Sequence, residues 1–320
     1  MNIDNIEISE HVKIISYAFL RKMHLISKNK FIKKYEKYFS KIKNNIFQQV
    51  APLNKLQGVI NNETKNLRGA ARGALGILTA PHTEFIARCI CDVLYTLNIR
   101  NEIFFDYQAN DDDEMFYIVI SPDYFSHGLP KNYFVFNTEQ FICDNSPTED
   151  LLAMLRNSYG VLDCSLKNIE FLNTHTVNPG KLFYTKLFPR PVKVLDFESK
   201  TTPILFYGEL CPQKKEILER LSLKFPIKIM ENLICKERRK ELDKAKIILN
   251  ISTDENAMLE TTRLCEAMSH GCLVISERGV NNKEYPELEE LVDFVDIDDV
   301  DALEKRFNTG WTIRNFCTKS

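Results

Sequence analysis

From residue 74 onward, short apolar runs alternate with longer stretches whose apolar positions recur every three or four residues. The short runs fall at 74–79, 102–106, 115–121, 133–136, 159–163, 182–184, 203–207, 227–230, 246–251, 272–275 and 292–296. Their length and continuity suit strands covered on both faces. The longer stretches at 81–97, 147–157, 213–223, 236–244, 259–270 and 300–307 read as helices, with a short one after Ser165. Pro81 opens the first at a position where its missing N–H costs nothing. Gly271 closes the helix that begins near residue 259, because glycine takes the left-handed cap cheaply. This alternation predicts an α/β chain with mostly parallel, doubly wound sheets. Two such series meet near residues 189–202, so the expected domains are 67–190 and 191–320.

Residues 1–66 look different. They read as a separate helical extension, with Asn61-Asn-Glu-Thr-Lys-Asn66 as a linker. Residues 1–50 carry ten Lys/Arg against four Asp/Glu, and Phe31, Tyr35, Tyr38 and Phe39 interleave with lysines at helical spacing. Such a helix either packs its aromatic stripe on the rest of the protein or makes peripheral membrane contact through residues 21–43.

Composition narrows the picture. The chain has 320 residues, 44% hydrophobic and 27% charged, which is ordinary for two globular cores. A net charge of −2 gives no footprint for nucleic acid. The nine cysteines are scattered, without a Cys-x-x-Cys pair, which fits reduced thiols in the cytoplasm better than a disulfide framework or a zinc site. No apolar run reaches the roughly 18 residues of a membrane span.

The chemistry concentrates in residues 259–277, LETTRLCEAMSHGCLVISE, read as helix, turn and buried strand after the strand at 246–251. In such a unit the loop and helix N-terminus lie at the carboxyl edge of the sheet, where open α/β folds bind ligands. Glu260, Arg263 and Glu266 share one helix face, with Thr262 beside them. The spacing is that of an ordinary surface ion-pair ladder. It also suits a site in which Arg263 clamps phosphate oxygens and Glu266 accepts ribose hydroxyls. Gly208 ends the strand at 203–207 and lets backbone approach a phosphate, and Lys214 or Lys215 opens the helix that follows. No Gly-x-Gly-x-x-Gly occurs, so a single nucleotide fits better than a dinucleotide.

LCEAMSHGCLVISE resembles the donor-binding signature of GT-B glycosyltransferases. So does the ordered set formed by YFVFNTEQ at 133–140, VLDCSLKNI at 161–169, LFYG at 205–208 and KIILN at 246–250. The resemblance covers roughly residues 130–280 and implies two Rossmann-like domains facing a cleft, with metal-independent transfer from a nucleotide sugar to a glycan or lipid-linked acceptor. It implies no cofactor beyond that donor substrate. It places Glu266 as the ribose-binding second Glu of a Glu-x7-Glu pair. The first would fall at Met258, with Glu260 the nearest carboxylate, so inverting and retaining chemistry both stay open.

On the acceptor side the base is expected from the N-terminal half. His82 follows the first strand, where many inverting GT-B enzymes place theirs, and Glu84 lies two residues on. Glu139 ends a strand at the same edge. Each residue has an equally ordinary role, as a helix N-terminal residue or a strand-end cap. Asp111-Asp-Asp-Glu114 matches the Asp-x-Asp that holds a divalent metal in GT-A enzymes, yet its place between two strands suits a solvated turn better. His127, His175 and His270 are isolated in sequence. Two other readings stay open: a nucleotide-sugar epimerase of the same architecture, and a catalytically inactive module that binds a glycan or a partner.

Overall fold

The computed structural model describes residues 74–96, 99–108, 115–125, 127–141, 147–175, 177–187, 189–190, 197–252 and 256–308. The extension at 1–66, its segment 21–43 and the acidic run at 111–114 lie outside these residues. The chain divides between Phe188 and Pro189 into two compact units. Among the described residues no helix is long and apolar enough to cross a membrane.

The first unit is built on a parallel sheet of six strands: β1 (Ala74–Thr79), β2 (Arg100–Phe104), β3 (Phe116–Ile120), β4 (Asn132–Asn137), β5 (Val161–Asp163) and β6 (Leu182–Tyr184). Their spatial order is β2-β1-β3-β4-β5-β6. Every residue of β3 is buried, as its unbroken apolar run requires. Helix α1 (Glu84–Thr96) connects β1 to β2 and buries Phe85, Ile86, Ile90 and Leu94. Helix α2 (Glu149–Asn157) connects β4 to β5, and α3 (Leu166–Thr174) connects β5 to β6. Leu151, Leu152, Leu155 and Leu172 of α2 and α3 join Tyr117, Val119, Tyr133, Val135 and Val161 in one core cluster. Both helices start on a side-chain cap: Thr148 accepts from Leu151 N–H, and Ser165 accepts from Asn168 N–H.

The second unit holds a parallel sheet of five strands: β7 (Thr202–Tyr207), β8 (Ile227–Met230), β9 (Ala245–Asn250), β10 (Leu273–Glu277) and β11 (Asp293–Val295), in the order β11-β10-β9-β7-β8. Period-two alternation sorts its side chains into two cores. Leu205, Tyr207, Ile248, Val274 and Phe294 pack with Leu242 of α5 (Cys235–Lys244) and with Leu264 and Ala267 of α6 (Thr261–Ser269). Ile204, Phe206, Ile247, Leu249, Ile275 and Val295 pack with Ile217, Leu218 and Leu221 of α4 (Pro212–Ser222) and with Leu303 and Phe307 of α7 (Val300–Asn308). The sheet is therefore wound on both faces, and its loops at the carboxyl edge gather the polar residues. Gly271 has φ +66°, the left-handed cap expected of it, and Cys272 N–H bonds back to Ala267 C=O at 3.1 Å.

Candidate functional site

In the second unit the strand ends are tied by a line of polar contacts. Gly208 follows β7 with φ +137°, and a Cβ there would lie 2.8 Å from Nη2 of Arg263. Glycine is needed here for both reasons, conformation and space. Arg263 sits in the first turn of α6 and is held by three elements. Its Nη1 donates to Asn250 Oδ1 of β9 at 2.8 Å, and its Nη2 meets Glu260 Oε2 at 2.7 Å. Its guanidinium carbon lies 5.3 Å from the ring centre of Tyr207 of β7. Asn250 in turn donates to Ser276 Oγ of β10 at 3.0 Å. Glu277, next along, accepts from the backbone N–H groups of Ser252 and Asp298 at 2.7 and 3.0 Å. Burial pushes the Glu277 carboxyl pKa up, while the two N–H groups pull it back.

The structure separates the two lysines that the sequence left equivalent. Lys214 is only 2% exposed and lies close enough to Glu277 for its charge to act on that carboxyl. It forms no ion pair with any described residue. Lys215 is turned to solvent, 3.9 Å from Glu219 in an exposed i,i+4 pair. The ladder at 260, 263 and 266 is also divided. Glu260 pairs with Arg263, but Glu266, 4% exposed, is met by Nε of Arg238 at 3.0 Å across the α5–α6 contact. Thr262 is half-buried in the first turn of α6. Arg238 was not singled out from the sequence, where the run KERRKELDK reads as a solvated helix. Its one signal is that it stands four residues before Leu242, on the buried stripe of α5.

In the first unit, His82 lies exposed in the 3-10 turn Pro81–Thr83 between β1 and α1, its ring 6.0 Å from that of Tyr124. Tyr124 is 51% exposed, in the turn after β3. That turn starts at Ser121, a non-glycine residue with φ +55°, whose hydroxyl lies 2.8 Å from Thr138 Oγ1. Glu139 follows, with its carboxyl pKa raised first by burial and then by Asp123, against a hydrogen bond from Thr138. The Glu139 carbonyl accepts from the side chains of Asn137 and Asn168 at 3.1 and 2.7 Å. Both asparagines also donate to Asp163, which is fully buried at the end of β5. The backbone that carries Glu139 is thereby fixed by β4, β5 and α3 together.

Glu84 is placed differently. It is 4% exposed, and its Oε1 takes Nε and Nη2 of Arg88 at 2.9 and 2.6 Å, one helical turn on. His82 and Glu139 stand at the ends of β1 and β4, with β3 between them. Among the described residues no three His, Cys, Asp or Glu side chains are grouped so as to hold a metal ion.

No protein-family model matches the chain, and neither does any curated protein. Among solved structures it is similar to Anabaena HepE in complex with UDP and glucose, at 10% identity and TM-score 0.45, over 74% of this chain and 89% of that one. It is also similar to the lipopolysaccharide outer core galactosyltransferase WaaB in its apo form, at 14% identity and TM-score 0.37, over 73% and 89%.

Proposed function

We propose that the chain is a metal-independent glycosyltransferase, with a nucleotide sugar on residues 191–320 and a hydroxyl acceptor, glycan or lipid-linked, on residues 67–190. The observation that carries this is a pair of cations at one sheet edge. Lys214 is buried without an ion-pair partner among the described residues, and Arg263 is held over Gly208. Glu277 acts on Lys214 without pairing with it directly, and a bound diphosphate would give this buried cation a direct partner. The N-terminus of α6 adds its own positive end beside Arg263.

In this reading Lys214, Arg263 and the helix end neutralise the leaving diphosphate as the anomeric C–O bond breaks. Glu266 receives the ribose hydroxyls. The acceptor hydroxyl passes its proton to His82 while its oxygen attacks the anomeric carbon, and Glu139 orients His82 or binds an acceptor hydroxyl. Thr262 and Glu260 line the donor side.

The reading is tested by calorimetry with UDP, GDP and TDP and with the matching nucleosides. Lys214→Met and Arg263→Met should each weaken the diphosphates about ten- to a hundredfold while leaving the nucleosides unchanged. Glu266→Ala should weaken both forms by a similar factor. Equal loss for nucleoside and diphosphate in the two cation variants would remove the phosphate assignment. Turnover should survive EDTA; its loss, with recovery on Mn²⁺, would move the diphosphate to the acidic run at 111–114.

One observation favours a second reading. Met258 is 5% exposed, an apolar core residue where the retaining pattern has a carboxylate. A binding module that has lost catalysis fits that substitution. Hydrolysis or transfer of any bound nucleotide sugar decides between the two.

A further inference from the structure

Arg238 and Glu266 form an ion pair inside the α5–α6 contact, with side chains 8% and 5% exposed. Other charged residues of α5 behave otherwise: Glu241 pairs with Lys228 and Lys244, both about 40% exposed at the side chain. A deeply buried pair is a poor way to gain stability, since apolar residues of like size serve as well or better. Its surroundings are not satisfied from within, either. Tyr207 belongs to the same core cluster as Leu242 and Leu264, and its buried hydroxyl has no hydrogen-bond partner among the described residues. Among the described residues, Glu266 pairs with Arg238 of α5 and its charge acts on Tyr207 of β7 and Cys272 before β10; Arg263 of α6 also acts on Tyr207, and Lys200 and Asp243 on Cys272.

We propose that Arg238 is a positioning residue for nucleotide binding: by taking Oε1 of Glu266 it fixes the plane of the carboxylate that receives the ribose hydroxyls. This rests on the reading of Glu266 as the ribose-binding group. The guanidinium suits the task because its Nε–H lies in a rigid plane and gives the contact with Oε1 a set direction, which a freely rotating ammonium does not. Arg238 reaches Glu266 from a different helix, so the ribose site depends on how α5 and α6 dock. Ribose recognition and the packing of the second unit are then set by one contact.

The test compares UDP and GDP with their 2′,3′-dideoxy forms by calorimetry on the full chain. In the unaltered protein the ribo form should bind at least about tenfold more tightly than the dideoxy form. In Arg238→Met that ratio should fall towards one, with the affinity for the dideoxy form unchanged. Arg238→Lys should recover part of the ratio. Arg238→Met leaves a buried carboxylate uncompensated, so Arg238→Lys, which keeps the charge and loses the planar guanidinium, carries the test if the methionine variant does not fold. Its ratio should lie below that of the unaltered protein, and an equal ratio overturns the inference. A ratio in Arg238→Met equal to that of the unaltered protein overturns the inference and leaves the ribose reading standing. So does equal weakening of ribo and dideoxy forms, the mark of a structural role alone. If neither UDP nor GDP binds the unaltered protein, the nucleotide reading fails and the inference fails with it.

Discussion

Gly208 is the position at which one methyl group changes the site most directly. Alanine there would meet a φ of +137° that L side chains rarely adopt, and a guanidinium 2.8 Å away. The backbone strain is of order 1–3 kcal/mol. The guanidinium is the movable partner, so Arg263 should leave Asn250 and Glu260. Gly208→Ala should therefore lower the urea midpoint and also reproduce the nucleotide-affinity loss of Arg263→Met. Unchanged affinity in a folded Gly208→Ala protein would show that the place of Arg263 does not matter. On the acceptor side, His82 is exposed, and imidazole is the side chain best suited to act as a base near neutral pH. His82→Ala should cut single-turnover transfer about 10²–10⁴-fold with donor affinity held. Glu139→Gln should act in the same direction. A His82 variant with full transfer would move the base to another residue, and Glu84, already paired with Arg88, would need that pair broken first.

At the scale of elements, the second unit depends on Lys200, just before β7. It is 3% exposed, and its Nζ donates to the carbonyls of Leu242, Asp243 and His270 at 2.9–3.0 Å. Those carbonyls belong to the last turns of α5 and α6, where helices leave acceptors unfilled and favour a cation. One side chain thus closes both helices that carry Arg238 and Glu266. Burial lowers the Lys200 pKa, against the opposing pull of Cys272 and Asp243. Lys200→Met keeps the apolar stem but leaves buried carbonyls unbonded, each costing about 1–3 kcal/mol. The variant should unfold at clearly lower urea, with nucleotide affinity falling as well because α5 and α6 lose register. A midpoint within experimental error of the unaltered protein would show that water replaces the ammonium at no cost.

For the molecule as a whole, proton linkage gives a stability prediction with a definite sign. His270 has its pKa lowered from 6.5, chiefly by burial, against a hydrogen bond to Asp243 at 2.7 Å; nearby Lys200 and Arg239 lower it further. The folded protein then binds fewer protons at His270 than the unfolded chain does. Its contribution is present above pH 6.5 and is lost as pH falls through the folded value. Glu139 and Glu277 act the other way. Their raised pKa values give stability that is full below 4.5 and lost as pH rises through the folded values. His270→Asn isolates the first effect. Between pH 7.5 and 5 the unaltered protein should lose stability faster than the variant in urea titrations, whereas parallel curves would mean that His270 titrates alike in the folded and unfolded chain.

The sequence by itself determined most of the elements. The run at 74–79 is β1, Ser165 caps α3, and Gly271 closes α6, because apolar continuity, a capping hydroxyl and a left-handed glycine are local signals. It also marked Gly208, Arg263 and Glu266, since a strand end and a helix start can be read without knowing the neighbours. The tertiary structure decided what those residues touch. Lys214 and Lys215 differ by one position, about 100° around a helix, so only the docking of α4 on the sheet made one buried and the other solvated. The partner of Glu266 is 28 residues away on another helix, and the contact of Arg263 with Asn250 spans 13. Within one helix an opposite charge that shares a face stands three or four positions off, which is why the sequence offered Glu260, Arg263 and Glu266 as one ladder. Packing α5 against α6 took Glu266 out of it, because a carboxylate buried at that depth must be met by whatever cation the neighbouring helix brings.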